Sequence, residues 1–203
     1  VNIFIIVKQE RKCEMAIKIF IDQGHNPSGY FNSGAEANGL QESEVNYQVG
    51  IYLQNLLNSD PRFEARVSRP QPDTVLGTNN TTSLAARVAM ANQWPADYFI
   101  SIHCNLNPNP EINGTEVYIY QYFTQGQWLA EQIMGGINDM VGTKNNGIRE
   151  NPSLYVLRNA DMPANLVELG YLSNPSDAEK LRNDQYGFAY GIYLGLLRYF
   201  GFA

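Results

Sequence analysis

The sequence predicts a single α/β domain, a twisted and mostly parallel sheet flanked by helices on both faces. Three observations predict it. Short runs rich in Ile, Val, Phe and Tyr recur along the chain, as strands require. Longer runs between them carry apolar residues at helical spacing. The 203 residues are 44% hydrophobic and 17% charged, which supports one sizeable core and excludes global disorder.

The elements follow in order. Lys18 to Ile21 reads as the first strand, ending in Asp22-Gln-Gly-His25. A polar, glycine-rich loop runs on to Gly39. Glu42 to Leu57 is predicted helical because Val45, Val49, Leu53 and Leu56 share one face. Phe63 to Val67 alternates as a strand does. Ser83 to Asn92 reads as a second helix, with Leu84, Val88 and Ala91 inward and Ser83 or a nearby threonine as cap. Tyr98 to Ile102 is a strand. The Asn113-Gly114 turn leads into another, Glu116 to Tyr120, with Tyr118, Tyr120 and Tyr122 expected on one half-buried face. Gln127 to Val141 is a third helix. Leu154 to Leu157 and Asn165 to Leu169 read as strands, Asp177 to Leu181 as a short helix, and Gly187 to Tyr199 as a long closing one.

Residues 1–16 are expected to be an appendage ahead of a single domain at 17–203. The apolar start, Val1 to Val7, is too short to cross a bilayer. It is followed by Lys8-Gln-Glu-Arg-Lys12 and not by a small-residue cleavage site, so no export signal is visible. The alternative is an ordered extra strand at 2–7. The 14 Lys+Arg against 20 Asp+Glu leave a charge of −6, which argues against a nucleic-acid partner. Two cysteines exclude a disulfide framework and a cysteine zinc knuckle. No internal repeat, linker or membrane-spanning run is present, and a monomer is the expected state.

Sites in open α/β sheets gather beyond the carboxyl ends of the strands. Both histidines of the chain fall there. His25 follows the first strand through Gly24, and His103 ends the strand from Tyr98. A single histidine in such a place is usually incidental; two are informative. Two His and one Glu form a known catalytic zinc set. The candidates for the third ligand are Asp22, Glu36, Glu42, Glu44 and Cys104. At about 100° per residue, Glu42 lies on the Val45 stripe and Glu44 on the opposite face. A carboxylate on the buried side is costly unless it is paired or metal-bound, so Glu42 is preferred. Its alternative is a capping carboxylate at the helix N-terminus. Cys104 alternates away from His103 and reads as core. No His-Glu-x-x-His motif exists.

Glu168 is a lone carboxylate in the apolar strand Leu166-Val-Glu-Leu169. Burial raises a carboxyl pKa, which suits an acid/base acting on a metal-bound water. The alternative is a core ion pair with Arg87, which borders the apolar side of its helix and is expected to pair with some buried acid.

These residues resemble the zinc-dependent N-acetylmuramoyl-L-alanine amidases of the type 3 class. The resemblance runs from about Ile19 to Phe200. Ile19 to His25 is similar to the family's first strand with its Gly-His. Gly39 to Asn46 is similar to the segment whose first Glu binds zinc. Ser83 to Asn92 is similar to its Arg- and Asn-bearing helix. Ser101-Ile-His-Cys-Asn105 is similar to the second histidine motif, and Met162 to Asn174 to the segment with the catalytic Glu. The chain departs at Gln23, Asn26 and Cys104, where the family usually has Pro, Gly and Ala. These neighbour the ligands and replace none of them.

The resemblance implies hydrolysis of the amide between N-acetylmuramic acid and L-alanine in peptidoglycan, at the cell wall. It implies Zn2+ on His25, Glu42 and His103, acid/base work by Glu168, and substrate contacts from Asn105 and Arg87. No long insert separates His103 from Glu168, where some relatives carry an inhibitory helix, so the form is expected to be unblocked. An autolysin, a spore enzyme and a phage-type lysin all fit. Other readings are a zinc peptidase or deacetylase acting on another wall amide, and an inactive wall-binding module. The presence of all four site residues disfavours the last.

Overall fold

A computed structural model describes residues 16–203. The expected extra strand at 2–7 and nearly all of the expected appendage lie outside the described residues. The elements run β1 (Ile17–Gln23), β2 (Glu36–Ala37), β3 (Leu40–Gln41), α1 (Glu42–Asn58), β4 (Phe63–Val67), α2 (Asn80–Gln93) and β5 (Tyr98–Asn105). They continue with β6 (Thr115–Ile119), α3 (Gln125–Val141), β7 (Asn145–Glu150), α4 (Tyr155–Asn159), β8 (Ala164–Tyr171), α5 (Pro175–Asn183) and α6 (Gln185–Tyr199).

Among the described residues the main sheet has six strands in the order β4-β1-β5-β8-β6-β7. Every neighbouring pair is parallel except β6–β8. The mostly parallel sheet with helices on both faces is therefore as the sequence predicts. Strand alternation sorts the core into two layers. Ile19, Ile21, Ile100, Ile102, Val117, Val167 and Leu169 face α1, α3 and α6, whose Val49, Leu53, Ile133 and Ile192 are fully buried against them. Each such side chain contributes about 1.5–3 kcal/mol by leaving water. Phe20, Phe99 and Leu166 point the other way, onto Val88 and Ala91 of α2 and Val156 and Leu157 of α4.

That second layer covers only part of its face. Toward the carboxyl ends of β1, β5 and β8 the same face carries Asp22, Ser101, His103 and Glu168 instead of apolar groups. The polar site is thus built on the sheet face where helix cover stops.

Several local expectations are corrected. Leu154 to Leu157 is not a strand. Its buried Val156 and Leu157 are adjacent and sit on one side of α4, a spacing that a strand would split between two faces. The missing strand is β7, a polar strand paired, among the described residues, with β6 alone, so its sequence lacks the alternation of a half-buried strand. The short β2–β3 hairpin was likewise not read from the sequence. Helix α2 is capped by Asn79, not by Ser83 or a threonine; the Asn79 side chain accepts from the Thr82 amide while Thr82 Oγ1 accepts from the Asn79 amide. Strand β6 ends at Ile119, which leaves Tyr120 and Tyr122 on the exposed turn beyond it and only Tyr118 on the sheet.

Candidate active site

His25, Glu42 and His103 come from three different elements and meet at one point. His25 stands just past β1, Glu42 in the first turn of α1, and His103 within β5. Glu42 Oε1 lies 3.0 Å from Nε2 of His25 and 3.0 Å from Nδ1 of His103. The two imidazole rings meet edge to face with centroids 4.8 Å apart. Among the described residues this is the group whose donor atoms all lie within 4.8 Å of one another. Three lone-pair donors aimed at a shared centre fit a divalent cation with nitrogen and oxygen ligands.

The local chain enforces this convergence. His25 adopts φ 72°, a left-handed conformation that a side chain tolerates only at a cost of about 1–2 kcal/mol. Arg87 Nη2 holds its carbonyl at 2.6 Å, and Arg69 Nη1 reaches the same oxygen at 3.4 Å. Arg87 Nη1 also binds the Gln23 carbonyl at 2.6 Å and Asp22 Oδ1 at 2.7 Å. Two buried guanidinium groups therefore stitch the end of β1 into the turn that aims the imidazole. His25 Nδ1 donates to Asn32 Oδ1 at 3.1 Å, whose amide donates in turn to Ser83. With Nδ1 so engaged, Nε2 is the ring nitrogen that faces Glu42. Gly24 is required: a Cβ there would stand 2.5 Å from the His103 ring.

Glu42 is 4% exposed, and Glu44 in the next half-turn is exposed to solvent. Burial pushes the Glu42 carboxyl pKa up, but the two histidine hydrogen bonds outweigh it and hold the group well below the usual carboxylate range. Its oxygens also accept from the amides of Ala35 at 2.9 Å and Cys104 at 3.1 Å. The other candidate ligands stand elsewhere. Asp22 is bound by Arg87 and by Ser101 Oγ at 2.8 Å, and Glu36 is exposed on β2. Burial and the nearby charges of Glu42 and Glu168 keep the Cys104 thiol protonated in the core.

Glu168 is the direct register partner of His103 across β5–β8. Its Oε2 is buried and makes no hydrogen bond among the described residues. Burial, then the charges of Glu42 and Glu116, push its pKa well above the usual carboxylate value. The expected alternative, a Glu168–Arg87 ion pair, does not form, because Arg87 pairs with Asp22 on β1.

The N-acetylmuramoyl-L-alanine amidase family model matches residues 19–198. The chain belongs to this amidase family. It is 38% identical over 188 residues to the N-acetylmuramoyl-L-alanine amidase CwlM of Bacillus licheniformis, covering 91% of this chain and 69% of that one. It is 37% identical over 173 residues to the amidase LytC of Bacillus subtilis, covering 83% of this chain but only 32% of that longer protein. Among solved structures, the N-acetylmuramoyl-L-alanine amidase of Clostridium difficile 630 superposes with a TM-score of 0.81 at 33% identity, over 92% of this chain and 98% of that one.

Within this amidase domain the two expected substrate contacts part ways. Asn105 lines a pocket beyond Glu168. Arg87 is 1% exposed and engaged by Asp22 and by the carbonyls of Gln23 and His25. Sequence reasoning missed Asn32, the partner of His25. The available signal was an asparagine in a glycine-rich loop, where left-handed backbone is common; its φ is 55°. It also missed Glu116, opposite Glu168 in the β6–β8 register, which read as an ordinary strand residue.

Proposed function

We propose that this chain hydrolyses the amide between N-acetylmuramic acid and L-alanine in peptidoglycan, using zinc held by His25, Glu42 and His103. The observation that carries the reading is an unpartnered, half-buried carboxylate beside a convergent His-Glu-His set, in a chain of the amidase family. Zinc, when bound there, polarises a carbonyl and makes water a competent nucleophile near neutral pH.

The protein residues supply the rest. Glu168 Oε2 has no competing donor among the described residues, so it is free to take the proton of the attacking water. Its raised proton affinity lets it keep that proton and pass it to the leaving nitrogen of L-alanine. Asn32 holds His25 in the ligating tautomer, and Arg87 and Arg69 hold the turn that carries it. Relatives include a sporulation-specific amidase of Bacillus subtilis and the endolysin of Bacillus phage SPP1, which supports action on the cell wall. No helix of the described residues is long and apolar enough to cross a membrane.

Digestion of purified peptidoglycan tests the proposal. The expected products are new L-alanine amino termini and intact glycan chains. New glucosamine amines would identify a deacetylase instead, and new termini inside the stem peptide a peptidase.

A further inference from the structure

The strand order turns the site into a row. His25 follows β1, His103 lies in β5, Glu168 in β8, Glu116 in β6 and Arg149 in β7, and these strands are successive neighbours. Glu116 and Glu168 are register partners, as are Tyr118 and Arg149. Beyond Glu168 the row opens into a pocket of about 460 Å³, lined by Asn105, Glu116, Tyr118, Lys144, Arg149 and Tyr171 among others.

Its charges are arranged for use. Glu116 is 3% exposed and saturated: Oε1 accepts from Tyr171 at 2.8 Å and Arg149 Nη2 at 3.0 Å, and Oε2 accepts from Tyr118 at 2.9 Å. The bond to Glu116 is the only one the Arg149 guanidinium makes among the described residues, and the side chain is about half exposed. It is thus anchored at one nitrogen and open along the rest of its fork, the geometry that takes a carboxylate in bidentate fashion. Lys144 is exposed at the same rim and forms no ion pair among the described residues. Pocket charge therefore comes to two cations over one acid that is already satisfied.

Direction follows from the chemistry. Glu168 must reach the leaving nitrogen, so the leaving peptide departs on the Glu168 side of the ligands, over β6 and β7. Neighbouring strands are about 4.8 Å apart, so β7 lies roughly 10 Å beyond β8. An extended peptide covers about 3.3–3.6 Å per residue, which brings its second or third residue over Arg149.

We infer that Lys144 and Arg149, with Arg149 set by Glu116, form a subsite for a carboxylate on the second or third residue of the leaving stem peptide. This rests on the amidase reading above. Two carboxylates of stem peptides have that chemistry: the α-carboxylate of a γ-linked D-glutamate at the second residue, and the extra carboxylate of diaminopimelate at the third.

Calorimetric titration of the zinc-loaded protein with free stem tripeptides tests it. The peptides are the L-alanyl-γ-D-glutamyl-diaminopimelate acid and its forms amidated singly at the second or the third residue. One amidation is expected to weaken binding about tenfold, as loss of one partly exposed charged contact does, and the sensitive position identifies the source. Lys144→Glu and Arg149→Gln should weaken the free acid and abolish the difference between it and the sensitive amide. Lys144→Glu carries the test if Arg149→Gln proves unstable, because Lys144 supports no buried group. Equal affinity of wild type for all three peptides overturns the subsite. So does a loss in the variants that is the same for acid and amide. Affinity is read without turnover: failure here with the muramoyl amide still cut removes the subsite alone, and an uncut wall removes the amidase reading.

Discussion

His103 and Glu168 are direct partners in the parallel register of β5 and β8. Their side chains leave the same face of the sheet from backbones about 4.8 Å apart. The spacing between the proposed ligand and the proposed acid/base is therefore fixed by main-chain hydrogen bonds. His25 and Glu42 are positioned differently, by a left-handed turn and by a helix start. The site combines one rigid pair with two side chains, the proposed ligands His25 and Glu42, whose placement depends on buried polar contacts beneath them.

Glu168→Gln should keep its metal and lose activity by about 10²–10⁴-fold, the usual contribution of a positioned acid/base. Metal content and wall clearance are measured on the same preparation. Loss of metal in step with activity would make Glu168 a ligand and reverse the assigned roles. Stability should move the other way. The folded protein raises the Glu168 pKa, so ionising it at neutral pH costs folding energy. In metal-free protein the Gln variant should melt above wild type at pH 7, and the gap should close as pH falls toward the ordinary carboxylate range, where the unfolded chain binds the proton as well.

Chelation should abolish wall lysis and added zinc should restore it, because the nucleophile proposed here depends on the metal. Zinc should also raise the melting temperature. A ligand present at about 1,000 times its Kd stabilises the folded state by roughly 4 kcal/mol. Full lysis by demonstrably metal-free protein would contradict the mechanism outright.

The four residues proposed to carry the chemistry were legible because each breaks a local pattern. His25 and His103 are polar ends of apolar strands, Glu42 sits on a buried stripe, and Glu168 interrupts Leu166 to Leu169. The supporting residues break no pattern. Asn32 lies in a loop without periodicity, and Arg87 shows only that it needs some acid; its partner Asp22 is 65 positions away and meets it through tertiary packing. Strand β7 was invisible for a related reason. An edge strand with exposed side chains carries little hydrophobic signal, and its place is set by pairing with β6.

Asp22 and Arg87 are each 1% exposed and joined at 2.7 Å, so removing either strands a buried charge. Arg87→Met or Asp22→Asn should cost about 3–5 kcal/mol in urea unfolding. Burial raises the Asp22 pKa, but the charge and hydrogen bond of Arg87 outweigh this and leave it lowered. A carboxylate with a lowered folded pKa stabilises fully above its unfolded value of about 3.9, and loses that contribution as pH falls through the folded value. Wild-type stability should therefore drop below about pH 4 more steeply than that of Asp22→Asn. Parallel curves would show that the pair does not titrate with folding.

Glu42 and Glu44 provide the sharpest contrast, because they are alike in chemistry and two residues apart on one helix. At about 100° per residue they point in nearly opposite directions, and the exposures agree: Glu42 is 4% exposed and Glu44 is exposed. Glu44→Ala removes a solvated charge and should change stability by within about 0.5 kcal/mol, with metal content and lysis unchanged. Glu42→Ala should lower zinc affinity by more than about 100-fold, since loss of even an outer-shell partner costs 10–100-fold. It also strands the Ala35 and Cys104 amides, at about 1–3 kcal/mol each. A folding defect would then mimic a metal defect. Glu42→Gln separates the two, since its remaining oxygen still accepts from a buried amide while the anionic ligand is gone. Loss of zinc from well-folded Glu42→Gln, beside intact Glu44→Ala, is the expected result. Retained zinc in Glu42→Gln would mean that the two histidines hold the ion with some other group, and the donor set assigned here would have to be redrawn.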